Sequence, residues 1–196
     1  MINKFKHIFG SKSKAQEIIL LLNDVKPVVR QGFYDDELTL VKKFCKDNSL
    51  FFVTSKFKVL LADTGDYSNK GMRIKGDDKR SGMRFVYISK DEQLTWLAAY
   101  HELMKNDKAL GLLLGYPICC VEYFCKNFNA DNTNPEIRSD NPYTNLSKRG
   151  EDLVLISHFP CSNDCELSIE LAKKYLDVIG KVDVSRAKEL MEKLKN

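Results

Sequence analysis

No stretch of this chain is long and apolar enough to cross a bilayer. No run reaches the roughly eighteen apolar residues required, and the longest candidate, Ile18 to Leu22, falls far short. The first ten residues are basic but lack both a hydrophobic core and a small-residue cleavage site, so they are not expected to act as a secretory signal. Phosphate-cradling Walker loops, the glycine fingerprint of dinucleotide sites and RNA-binding signatures are all missing, as are internal repeats and low-complexity tracts. Neither sign of charge dominates: 31 Lys and Arg against 27 Asp and Glu leave +4, which only mildly favours an anionic partner. The chain therefore reads as a cytoplasmic protein with no membrane partner. Its 196 residues suit one domain, and 43% hydrophobic residues are enough for a core.

Cytoplasmic placement sets the meaning of the six cysteines. In a reducing compartment, clustered cysteines are more often metal ligands or reactive thiols than disulfides. Five of the six fall in two short pieces, Leu114–Cys125 and His158–Cys165. Each piece carries a proline just before its first cysteine, Pro117 and Pro160.

The pattern between and around these pieces predicts an α+β fold: a small antiparallel sheet with helices in the N-terminal half, and a mainly helical C-terminal half. Residues 1–14 read as a flexible basic lead-in, 15–90 as a helix and sheet subdomain, and 91–196 as a helical region carrying the cysteine motifs. Helices are expected over 14–23, with Ser13 as cap, and over 35–47, where Leu38, Val41, Phe44 and Cys45 share a face. Cys45 is thus a core residue. Strand formers fill 50–54 and 57–62, joined as a hairpin through Ser55-Lys56, and 85–88 makes a third strand. The strand pattern ends at Asp63–Asp66, and 67–84 reads as a mobile loop or wide hairpin. A helix to about Lys105 is expected to bury Leu94, Leu97, Ala98, His101 and Met104. A short helix then ends at Gly115, 153–156 is a buried strand or extended run, and helices over 163–179 and 184–195 close the chain.

Pro117 suits a helical first turn, since its φ is fixed and the amide hydrogen it lacks would be unpaired there. Cys119 and Cys120 then lie at the helix start, where free amides and the dipole favour thiolates. Cys125 is five residues beyond Cys120, about 140° round the helix, and shares a face with neither. In the second piece Ser162 is a natural cap and would put Cys165 in the first turn, with Cys161 one turn away. His158 can approach from the incoming segment as ligand or modulator. Four sulfurs and a histidine suit a zinc ion held by Cys119, Cys120, Cys161 and Cys165, with His158 in place of one of them as a variant. They also suit an iron–sulfur cluster. A thiol-dependent enzyme, with a low-pKa cysteine and His158 as base, is the alternative. Packing of small side chains beside helix ends is the plainest reading.

The segments Gly115–Phe124 and His158–Ser168 together resemble a family of archaeal and bacterial proteins catalogued only as a domain of unknown function, number 483. The resemblance runs from about Trp96 to Tyr175. It implies Cys119, Cys120, His158, Cys161 and Cys165 as marked positions, without Cys45 or Cys125, and it implies no activity.

Outside these motifs, Lys70–Arg84 is the most basic stretch. Arg73, Lys75, Lys79 and Arg80 would follow a phosphate backbone if the chain were a nucleic-acid-binding module with the cysteines as a staple; otherwise this is a solvated loop. His101 is read as a buried histidine or an additional ligand, and Glu122 as an exposed residue or an acid supporting the ligands.

Overall fold

The computed structural model describes residues 1–61 and 71–195. The expected strand end at Asp63–Asp66, and the part of the glycine-rich span from Tyr67 to Lys70, lie outside them. The chain divides into two compact units, Lys26–Gly115, and Met1–Val25 together with Tyr116–Asn196. The fold is α+β, with small antiparallel sheets and helices, and the C-terminal region is helical.

In the unit Lys26–Gly115, strands β1 (Val28–Phe33) and β2 (Phe51–Thr54) flank β5 (Arg84–Ser89) in an antiparallel sheet of order β1-β5-β2. Ile88 pairs with Val29 on one side and Phe52 on the other. A second, two-stranded sheet joins β3 (Phe57–Leu61) to β4 (Gly71–Lys75). The expected hairpin between 50–54 and 57–62 does not form, because its two strands belong to different sheets. Ser55 is the cause. Its amide donates to Phe85 O, its hydroxyl donates to Phe57 O and also accepts from the Phe85 amide, so the chain is bent where a turn was expected. β1 was not foreseen, and β4 lies inside the span read as a mobile loop or wide hairpin.

Helix α3 (Leu38–Asp47) buries Val41, Phe44 and Cys45, as its periodicity predicts. Helix α4 (Glu92–Leu103) starts where Asp91 accepts from the amides of Gln93 and Leu94. Its inward face agrees with the expected one at Ala98, with Leu94 and His101 half-buried, but not at Leu97 or Met104. Thr95, Ala98 and Glu102 are buried, whereas Leu97 and Met104 are exposed. The reason is an ionic centre: the Glu102 carboxylate takes Arg30 on one oxygen and Arg73 on the other, at 2.8 Å for Arg73. The two guanidinium groups lie over the rings of Phe85 and Phe57. With this pairing inside, Leu97 and Met104 face out. Helix α5 (Asp107–Leu113) follows, and Gly115 ends it at φ 79°, a left-handed conformation that glycine adopts without strain.

The other unit is helical: α1 (Ile2–Phe9), α2 (Lys12–Leu22), α6 (Ile118–Asn127), α7 (Glu166–Val182) and α8 (Val184–Lys195). Where a loose lead-in was expected, α1 buries Ile2, Phe5 and Phe9, one helical turn apart, against α2. Ser11, not Ser13, caps α2, and the Asp152 carboxylate accepts from the amides of Lys12 and Ser13. The core of this unit gathers Leu20, Leu146, Leu153–Ile156, Phe159, Tyr175, Ile179 and Leu190. Residues 153–156, expected as a strand or extended run, are buried but belong to no strand, and a bend falls at Leu155. Arg186, 2% exposed, is fully engaged by Gln16, Glu189 and the Asp152 carbonyl. No helix among the described residues is long and apolar enough to cross a membrane.

Candidate metal centre

The site lies within the unit Met1–Val25 with Tyr116–Asn196. Pro117 stands at the N-cap of α6, so Cys119 and Cys120 occupy its first turn as predicted. The second helix starts later than expected: Cys165 is itself the N-cap of α7, and 161–165 form a turn in which the Cys165 amide donates to Ser162 O. Asn163 holds that turn in place. Its side-chain oxygen accepts from the Ser139 hydroxyl, and its carbonyl accepts from Thr144 Oγ1 at 2.7 Å. Thr144 is fully buried. The long polar segment 127–149 thus anchors the second cysteine pair.

The sulfurs of Cys119, Cys120, Cys161 and Cys165 all lie within 4.8 Å of one another. Cys119 Sγ is 3.9 Å from Cys120 Sγ and 3.7 Å from Cys165 Sγ, and Cys120 Sγ is 3.6 Å from Cys165 Sγ. Two helix N-termini point their free amides and positive dipole ends toward this group. Cys125 is exposed on α6, away from the group, and Cys45 is buried in α3 of the other unit. His101 and Glu122 are not members of the group, and Glu122 is exposed.

His158 stands one hydroxyl away from the sulfurs. Its Nε2 is 2.8 Å from Ser168 Oγ, which in turn is 3.1 Å from Cys120 Sγ. The His158 ring lies 5.1 Å from that of Tyr116 and is 6% exposed. Ser168, fully buried in the first turn of α7, is the residue that motif reading missed. Its position three residues after Cys165 is the available signal, since a serine there turns its hydroxyl toward the helix start.

Proton affinities in the group are spread apart. Burial pushes the Cys120 thiol well above the ordinary range, against the opposing pull of the Ser168 hydroxyl and the Cys161 amide. Burial, followed by the Cys165 and Cys119 thiols, pushes Cys161 up to about 11. Cys165 is also penalised by burial, but the hydroxyl and amide of Ser168 and the Cys161 and Cys120 thiols outweigh it and bring it down to about 7. One proton thus leaves readily and the next ones reluctantly, as expected when like charges share a small volume.

The donor set fits a metal ion. A tetrahedron of metal–thiolate bonds near 2.3 Å has S···S edges of about 3.8 Å; the three edges among Cys119, Cys120 and Cys165 run from 3.6 to 3.9 Å, and Cys161 Sγ lies within 4.8 Å of each of these sulfurs.

In the basic stretch, Arg73 is committed to Glu102, and Arg80 is paired with Asp78 at 2.8 Å; Lys75 and Lys79 are exposed.

Comparison with curated proteins finds no match, and comparison with solved structures finds none. Residues 95–195, which include both cysteine pairs, match the family described as protein of unknown function (DUF483), and the chain belongs to that family.

Proposed function

We propose that the chain is a zinc protein in which Cys119, Cys120, Cys161 and Cys165 hold one ion in a closed, tetrahedral, structural site. The observation that carries this reading is the closeness of the four sulfurs, all within 4.8 Å of one another, with the three spacings among Cys119, Cys120 and Cys165 at the edge length of a ZnS4 tetrahedron. In an iron–sulfur cluster the thiolates bind different irons, so their sulfurs stand farther apart than ligands of one ion. Four thiolates leave no open position on the ion, which favours a structural role over hydrolytic chemistry.

Ser168 and His158 support the ligands. With Cys120 ionised, the Ser168 hydroxyl donates to its sulfur and accepts from His158 Nε2–H, which selects that tautomer. A His158 base acting directly on a cysteine is disfavoured, because Ser168 stands between them. The thiol-enzyme reading is further weakened by Cys165, whose pKa is lowered to about 7, being only 6% exposed.

The test is metal analysis of protein purified anaerobically without chelators. One zinc per chain and no visible absorption is the expected result. Iron with visible charge-transfer bands would move the assignment to an iron site, and a metal-free, fully folded protein would defeat it. Serine substitution at each of the four cysteines should lower zinc content, whereas Cys125→Ser should not.

A further inference from the structure

Outside the cysteine site, the least accounted-for feature is the outer face of α4. Trp96, Leu97, Tyr100, Leu103 and Met104 are between 44% and 58% exposed. They follow one another at helical spacing and form a single apolar seam. Trp96, Leu97 and Tyr100 also line a shallow surface hollow with Glu92 and Gln93. Such a seam is expensive to leave in water. Trp96 and Tyr100 alone contribute on the order of 100 Å² each, and the five residues reach about 500 Å², near the upper end for the largest patch of a monomer.

We propose that α4 is the two-fold contact of a homodimer, packed antiparallel against α4 of a second copy of this chain. Two arguments select a second copy as the occupant. The first is charge. Glu92 is exposed in the first turn of α4 and Lys105 is exposed just past its end, and neither makes an ion pair among the described residues. With the two-fold axis beside Ala98 and Ala99, Leu97 meets the partner's Tyr100, and Glu92 meets the partner's Lys105 at both ends of the seam. The helix dipoles also run antiparallel, which is favourable. A symmetric contact of this kind requires one patch to be complementary to itself, and this one is. The second argument is area. Two such faces bury roughly 1,000 Å², about the least that a specific interface needs.

Sedimentation velocity over a concentration series tests this. The 22.5 kDa chain should run at twice that mass in the ten-micromolar range. Tyr100→Glu and Leu103→Glu each place a charge at the centre of the seam twice per dimer. Each should raise the dissociation constant at least about 30-fold, with helix content by circular dichroism and zinc content unchanged. Glu92→Lys alone and Lys105→Glu alone should each weaken the dimer several-fold, and the double exchange should restore it. That restoration cannot arise from misfolding. A chain that stays monomeric at about 100 µM, a dimer indifferent to Tyr100→Glu, or an α4 face that binds another macromolecule without self-association would overturn the proposal.

Discussion

Replacing Ser168 by alanine probes the cysteine site without touching a proposed ligand. Its hydroxyl lies within reach of both Cys120 Sγ, at 3.1 Å, and His158 Nε2, at 2.8 Å. Ser168→Ala removes a donor from the Cys120 thiolate and a partner from a buried imidazole, and leaves a gap the size of one oxygen atom. Loss of such a buried hydrogen-bonded hydroxyl costs about 1–3 kcal/mol of folding stability. The effect on the metal is separate. Groups that support ligands are typically worth 10- to 100-fold in affinity, so zinc binding should weaken by about 1.4–2.7 kcal/mol. Competition with a chromogenic zinc chelator near neutral pH reads this directly. His158→Gln, which keeps a donor for Ser168, should lose less than His158→Ala. If Ser168→Ala binds zinc within about twofold of the wild type while Cys120→Ser does not, the hydroxyl does not support the site, and the role assigned to His158 falls with it.

Zinc removal should loosen the unit that contains α6 and α7. A clip between the two cysteine pairs closes a loop of about forty residues, worth on the order of 4 kcal/mol in chain entropy. At about 2–4 °C per kcal/mol in a chain of this size, scanning calorimetry after chelation should show a melting temperature lower by about 10 °C, and an unchanged value would argue against a structural ion. Thr144→Val, which removes the hydroxyl that holds the Asn163 carbonyl, should cost about 1–2 kcal/mol in urea unfolding, whereas a loss below about 0.5 kcal/mol would mean that the 127–149 segment does not anchor the turn. Burial raises the Cys45 thiol from 9.0 to about 12; with its folded pKa raised, its contribution is fully present below pH 9 and is lost as pH rises from 9 toward 12. At pH 10.5, under reducing conditions, the wild type should have lost about 2 kcal/mol more than Cys45→Ala, and parallel pH profiles for the two proteins would contradict the burial argument. Glu102→Gln leaves Arg30 and Arg73 facing each other across a neutral amide and should destabilise by about 3 kcal/mol; a variant as stable as the wild type would show that the ionic centre does not set the orientation of α4.

Sequence patterns were legible where the deciding interaction is local. Pro117 and the cysteines after it announce a helix start, because first-turn geometry depends only on neighbouring residues. Val41, Phe44 and Cys45 declare their face because their helix has one core to meet. The pairing of the two motifs was also legible, since two clustered cysteine pairs, each following a proline, point to one shared site. Reading failed where a partner distant in sequence decides. Nothing near Glu102 shows that Arg30 and Arg73 will converge on it, yet that ionic centre takes the inward face, and of the stripe that periodicity assigns to the core Ala98 is buried while Leu97 and Met104 are exposed. Ser55 looks like a turn residue until Phe85, thirty positions away, takes its amide and hydroxyl. The first ten residues look like a solvated tail because Lys4 and Lys6 interrupt their apolar positions, whereas burial of Ile2, Phe5 and Phe9 depends on spacing along a helix that charge content does not reveal. Ser168 is the most instructive case. A ligand is recognised by its element, but a supporting hydroxyl is recognised only by the two atoms it lies between, one on α6 and one on the segment that leads into Pro160. The same asymmetry explains why the four sulfurs are the legible half of the site, and why its chemistry is tested through the hydroxyl and imidazole behind them.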